Sequence, residues 1–140
     1  MTLLEIVEQF QHIAENQHNI NYVGEGDIYT LNSLPNIDYG VFYITQQKHS
    51  QDENVTKYNL TLFYVDRLLN DGKNKLAVQS TGITLLTNII NIFLNSNDVE
   101  IEGDVQLTTY KERFVDECAG AFAEITVITD NPIGMCGINM

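Results

Sequence analysis

The chain has 140 residues, and its 44% hydrophobic and 19% charged composition is that of a soluble globular domain, long enough to bury a core without disulfide or metal staples. Seven Lys and Arg against nineteen Asp and Glu give a formal net charge of −12, which argues against a basic face for duplex DNA and against docking on an anionic membrane. No apolar run is expected to reach the ~20 residues of a bilayer span, Met1-Thr2-Leu3-Leu4-Glu5 lacks the basic start of a signal peptide, and Cys118 and Cys136 read as reduced thiols outside any CxxC or Cys/His cluster.

Thr2 and Glu5 form a capping box ahead of a helix. Leu3, Ile6, Val7, Phe10, Ile13 and Ala14 recur at spacings of three and four and share one stripe, and Asn19-Ile20-Asn21 ends it. Gly24-Glu25-Gly26-Asp27 reads as a turn, 28–31 as a short strand and 32–36 as another turn. Residues 39–45 are aromatic and β-branched and predict a strand, followed by a polar hairpin tip over 46–54. The return strand, 55–66, alternates: Tyr58, Leu60, Leu62 and Tyr64 on one face, Asn59, Thr61, Phe63 and Val65 on the other.

A second helix is expected over about 75–94, with Ile83, Leu86, Ile89, Ile90, Phe93 and Leu94 as its apolar face. Gly82 inside it costs about 1 kcal/mol against Ala, and its missing side chain could let a strand approach. Two strands close the chain, 99–109 and 114–129, joined by a turn at Tyr110-Lys111-Glu112-Arg113. The order α-(β)-β-β-α-β-β makes the chain α+β, with two helices on one face of a mostly antiparallel sheet. One domain covers 1–132, and 133–140 is a C-terminal tail.

Chemistry-bearing patterns are thin. The 24–27 glycines lack the Lys and the strand-loop-helix setting of a phosphate loop, and their acids would repel phosphate. His12, His18 and His49 have no ligand spacing, and no serine stands in GxSxG. Cys118 follows Asp116 and Glu117, which suppress thiolate formation, so it reads as a small core residue. No catalytic constellation, metal or cofactor is expected. The two arginines, Arg67 and Arg113, stand beside Asp66 and among Glu112 and Asp116. Scarce arginines in a −12 chain are candidates for contacts between subunits, with Glu112 and Asp116 as partners, against the plainer reading of local surface ion pairs. Asp98, Glu100, Glu102 and Asp104 recur every second residue and would share one face of a strand, with Val99 and Ile101 on the other. An ordinary charged edge strand has the same pattern.

Leu-Phe-Tyr-Val-Asp-Arg-Leu-Leu at 62–69, the Asp/Gly/Lys/Asn turn at 70–75, Val78-Gln79-Ser80, and the run from Tyr110 to Gly120 before an alternating strand resemble small virion proteins of tailed phages of Bacteroidetes, crAss-like phages included. The element order is similar to the tail terminator, or tail-completion, fold. The resemblance covers about 55–129, and the first helix by position only. It implies a homo-oligomeric ring, six- or twelve-fold, at the head–tail junction or the top of the tail. Portal, adaptor or tail proteins would be its neighbours, and the axial channel would pass DNA without binding it specifically. The 46–54 tip, the 24–38 segment and the tail would contact adjacent rings. Such a protein belongs to the virion, is assembled in the host cytoplasm, and is neither an enzyme nor membrane-bound. In a ring, Asp98, Glu100, Glu102 and Asp104 are the candidates to face the channel. The alternative is an acidic binding module, such as an immunity or inhibitor protein, that neutralises a basic partner.

Overall fold

Thr2 caps the first helix, α1 (Leu3–Glu15), in both directions. Its Oγ1 accepts from the Glu5 amide at 3.2 Å, and Glu5 Oε1 accepts from the Thr2 amide at 3.0 Å. The Thr2 amide, and after it the Thr2 hydroxyl, hold the Glu5 carboxyl below its usual range. Ile6, Val7, Phe10 and Ala14 of the expected stripe are buried. The structure, a computed structural model, describes residues 1–27, 39–69, 72–113 and 117–130.

The strands are β1 (Tyr22–Glu25), β2 (Val41–Gln46), β3 (Ser50–Gln51), β4 (Val55–Arg67), β5 (Glu100–Ile101), β6 (Gln106–Arg113) and β7 (Glu117–Asp130), with α2 (Lys75–Ser96) between β4 and β5. They form one sheet in the order β1-β2-β4-β7. Short β3 continues the β2 column beside β4, and β5 and β6 share the outer side of β7. Among the described residues only β1 and β2 run parallel. The spine is the ladder of β4 on β7, unbroken from Val55↔Asp130 to Arg67↔Cys118.

Both helices lie on one face. Phe42 and Ile44, Leu60, Leu62 and Tyr64, and Ala121, Ala123, Ile125 and Val127 meet the buried sides of α1 and α2 in the main core. Phe10 of α1 stacks on Phe93 of α2, ring centroids 4.1 Å apart. On the opposite face Val41, Tyr43, Val65 and Cys118 form a second cluster with Tyr22, Tyr39, Phe63 and Tyr110. Gly82 does admit a strand: a β-carbon there would lie 3.1 Å from the Ala121 β-carbon and 3.2 Å from its backbone nitrogen.

Several expectations need correction. Gly24 and Glu25 belong to β1 rather than to a turn. Gly24 sits opposite Tyr43, and a β-carbon would come within 2.7 Å of that ring, so the glycine serves a close cross-strand contact. The 99–109 strand is two, β5 and β6, separated around Gly103 at φ 64°. The turn expected at 110–113 is strand: β6 runs through Arg113, which pairs with Glu117. The 46–54 tip contains the paired β3. Ile83, assigned to the core side of α2, is 36% exposed, while Val78 and Leu85 are buried instead. The uncharged run has a consequence that spacing does not show: α2 has 22 residues and contains an 18-residue stretch of mean hydropathy 1.4, enough by length and composition to cross a membrane. One side of it is packed on the sheet, as in the core helix of a globular fold. The strand expected at 28–31, the turn at 32–36 and the 133–140 tail lie outside the described residues.

Gly120 carries the tightest approach in the sheet. The Tyr110 hydroxyl donates to the Tyr64 carbonyl at 2.8 Å, and a β-carbon on Gly120 would fall on that same carbonyl oxygen. Backbone cannot yield as a flexible side chain does, so Gly120→Ala should destabilise the fold by about 3 kcal/mol or more. Tyr110→Phe, which removes only the hydrogen bond, should lose about 1 kcal/mol. Urea unfolding of the two variants checks the order.

Candidate functional site

The sequence points to no single catalytic centre, so the surfaces that could meet another molecule are the site. Among the described residues no three His, Cys, Asp or Glu side chains gather as a metal site. Cys118 is buried in the second cluster. Exposed His49 joins two strands: its Nδ1 accepts from the Asn59 amide at 3.1 Å, so Nε2 carries the proton and donates to Gln46 Oε1 at 3.2 Å.

The four alternating acids are all exposed, while Val99, Ile101 and Val105 between and beyond them pack against the main core. Only Glu100 of the four is in a strand, and Gly103 interrupts the alternation, so no single strand face holds them all. Glu102 is tied inward: its amide donates to the Thr126 carbonyl at 3.0 Å, and its Oε1 takes a 2.8 Å ion pair from Lys57 Nζ. That carboxylate raises the Lys57 ammonium above its usual range. Beside it, on the helix-free face, lies an open groove of about 620 Å³ lined by Lys48, Asn59, Glu102, Asp104, Glu124 and Thr126, among others. Three carboxylates, one of them already paired with Lys57, outweigh Lys48 and leave the groove net negative, which suits a positively charged guest.

Arg67 and Arg113 stand at the same end of the sheet, on the two strands that flank β7: Arg67 is paired with Cys118 and Arg113 with Glu117. Arg67 ends β4 with its guanidinium 5.2 Å from the centre of the Tyr39 ring, a cation–π contact within the chain. Asp66 beside it accepts from the Tyr64 hydroxyl at 3.1 Å and from the Arg67 amide at 2.8 Å. Burial, and then the Asp66 charge, push the Tyr64 phenol up. Glu112 and Arg113 lie on β6 in register with Cys118 and Glu117 of β7. Asp116 lies outside the described residues.

One surface escaped the sequence reading. Residues 76–97 contain no charged side chain, in a chain where charged residues make up 19%. The outer side of α2 therefore presents Leu76, Ser80, Ile83, Thr84, Thr87, Asn91 and Ile92 to solvent, with Leu76 75% exposed. The signal was the length of that uncharged run. It was missed because apolar residues on both sides of the helix were read as one core face.

The tip between β2 and β4 is braced by hydrogen bonds of its own. Asn59 Nδ2 donates to the Lys48 carbonyl at 2.6 Å, and Gln47 Nε2 to Thr61 Oγ1 at 3.1 Å. The Asp52 carboxylate accepts from the Asn54 and Val55 amides at 2.8 and 2.9 Å, which lowers its pKa. A depressed carboxylate contributes above its unfolded pKa and loses that contribution as pH falls through its folded pKa. Amide exchange at Asn54 and Val55 should therefore quicken below the ordinary aspartate range near pH ~3.9 and become pH-independent in that range in Asp52→Asn, apart from intrinsic chemistry.

Compared with protein-family models and with curated proteins, the sequence matches none.

Proposed function

We propose that the chain is a non-enzymatic virion structural protein that assembles with copies of itself into a ring at the head–tail junction or the top of a phage tail. The observation that carries this reading is the segregation of charge. The acids of 98–104 stand exposed along one border of the sheet, while the longest uncharged stretch, 76–97, covers a separate surface. A chain of net charge −12 can approach its own copies only over a neutral surface or one where acid meets base. The segregation supplies the first and leaves the acids free to line a channel through which phosphates slide without sticking. The resemblance over 55–129 supports the phage setting, and ring contacts are heterologous and close by rotation. Arg113, Glu112 and Asp116 at the β6–β7 end are the proposed charged contacts, with Arg67 a further one.

The groove beside Glu102 favours a second reading, an acidic module that binds a basic partner such as the target of an immunity or inhibitor protein. Native mass and negative-stain images of the pure protein separate the two. The ring reading expects six- or twelve-fold particles that strengthen with salt, because screening over ~8 Å at physiological ionic strength weakens acid–acid repulsion. A monomer at every salt concentration that takes one basic partner would support the second. In rings, Arg113→Glu should leave the subunit folded and lower the assembled fraction.

A further inference from the structure

The outer side of α2 is more than neutral. Leu76, Ser80, Ile83 and Thr87 are separated by four, three and four residues, so they line up as one seam along the helix. Large and small side chains alternate in it. Leu76 is 75% and Ile83 36% exposed, and Ser80 and Thr87 between and beyond them are exposed hollows. Leu107 of β6, 37% exposed, stands on the same face of the sheet, paired with Ala123. The buried side of the helix is already committed to the sheet through Val78, Gly82, Leu85 and Leu86, so the seam cannot turn inward.

We infer that this seam is the contact between two copies of the chain, α2 against α2, antiparallel about a two-fold axis. Such an axis between Ser80 and Ile83 sets Leu76 over the partner's Thr87 and Ile83 over the partner's Ser80, and the reverse from the other copy. Each large side chain then fills a hollow, as knobs do in holes. Charge selects the occupant. A basic partner is drawn to the acids of the groove, and an acidic surface gains nothing from a neutral seam. A second α2 brings the same uncharged length and the matching hollows, and it keeps both sets of acids apart. The contact is short. A seam of twelve residues is about 18 Å long at ~1.5 Å per residue, well below the area of a standard interface, so the pair should be weak, with a dissociation constant on the order of 0.1 mM. A two-fold contact cannot close a ring of one row, so the seam is not the ring contact: the ring reading is left with the rest of the neutral side, Thr84, Asn91 and Ile92, and with the charged contacts, and the inference does not depend on it.

Sedimentation of the purified full-length chain over about 0.02–1 mM tests it. Wild type should show a monomer–dimer equilibrium, alone or superimposed on larger rings. Ile83→Lys and, at exposed Thr87, Thr87→Lys should raise the dissociation constant at least ~10-fold, with circular dichroism unchanged. Asn88→Lys, on α2 but off the seam, should not. Ser80→Glu with Ile83→Lys should restore pairing, since each Glu then faces a Lys of the other copy. A chain that stays monomeric to the top concentration, or dimers indifferent to Ile83→Lys and Thr87→Lys, would overturn the inference. So would a monomer that instead sediments with phosphatidylcholine vesicles and loses them on Ile83→Lys. Rings formed by a chain whose pairing ignores the seam substitutions would sink the seam and leave the ring reading standing; dimers that respond to those substitutions without rings would do the opposite.

Discussion

The close seating of α2 on the centre of the sheet is the constraint on which the rest depends. At Gly82 the helix has no side chain, and below it lie Ala121 and Tyr64, with a would-be β-carbon only 3.1 Å from each. Ala119 and Ala123, on the same strand, keep that area of the sheet low. A helix so seated cannot roll without driving a real β-carbon into backbone, because interiors are packed to crystal-like density. Its rotation therefore decides two things at once. It points Val78, Leu85, Leu86, Ile89, Ile90 and Phe93 into the core, and it leaves Leu76, Ser80, Ile83 and Thr87 outside.

How much of this could be read beforehand follows from where the information lies. The first helix is local: a capping box and one stripe suffice, and the buried residues are those of the stripe. Strand β4 is equally plain, since alternation over Asn59–Val65 names both faces. Strand β1 was hidden because its four residues include a glycine, and its reason to be a strand is Tyr43, beyond a long connection. The far end of β6 reads as a turn because Lys111, Glu112 and Arg113 are charged, yet an edge strand tolerates and often uses charge to discourage unwanted pairing. On α2 apolar residues stand on two sides, so periodicity alone could not say which side is inside; the glycine could. The exposed acids of 98–104 were legible, but the bond of Glu102 to Lys57 and the seat of Arg67 on Tyr39 join distant parts of the chain that no spacing reveals.

The helix-free face gives the fold a second, smaller core of different character. Tyr43 is almost fully buried there, its hydroxyl 3.3 Å from the Asp27 carbonyl, and burial followed by the nearby Tyr22, Glu25 and Asp27 raises its phenol. Phe63, Phe122 and Tyr110 meet in tilted and edge-on arrangements farther along, which suit aromatic quadrupoles better than flat stacking. Toward the groove the same face becomes Asn59, Thr126 and Glu124. One sheet thus carries an aliphatic core under its helices, an aromatic patch at one end of its other side, and an acidic basin at the opposite end.

The β4–β7 ladder has a further consequence, for the order in which the chain can fold. Every rung joins residues more than fifty positions apart, from Arg67↔Cys118 to Val55↔Asp130. Closing such loops is entropically slow, and folds dominated by distant pairings form later than local ones. The helices and the β2–β4 pair can form from nearby residues within their own stretches. During synthesis β4 must therefore wait with one edge unpaired, a template for other strands, until residues 117–130 have followed it.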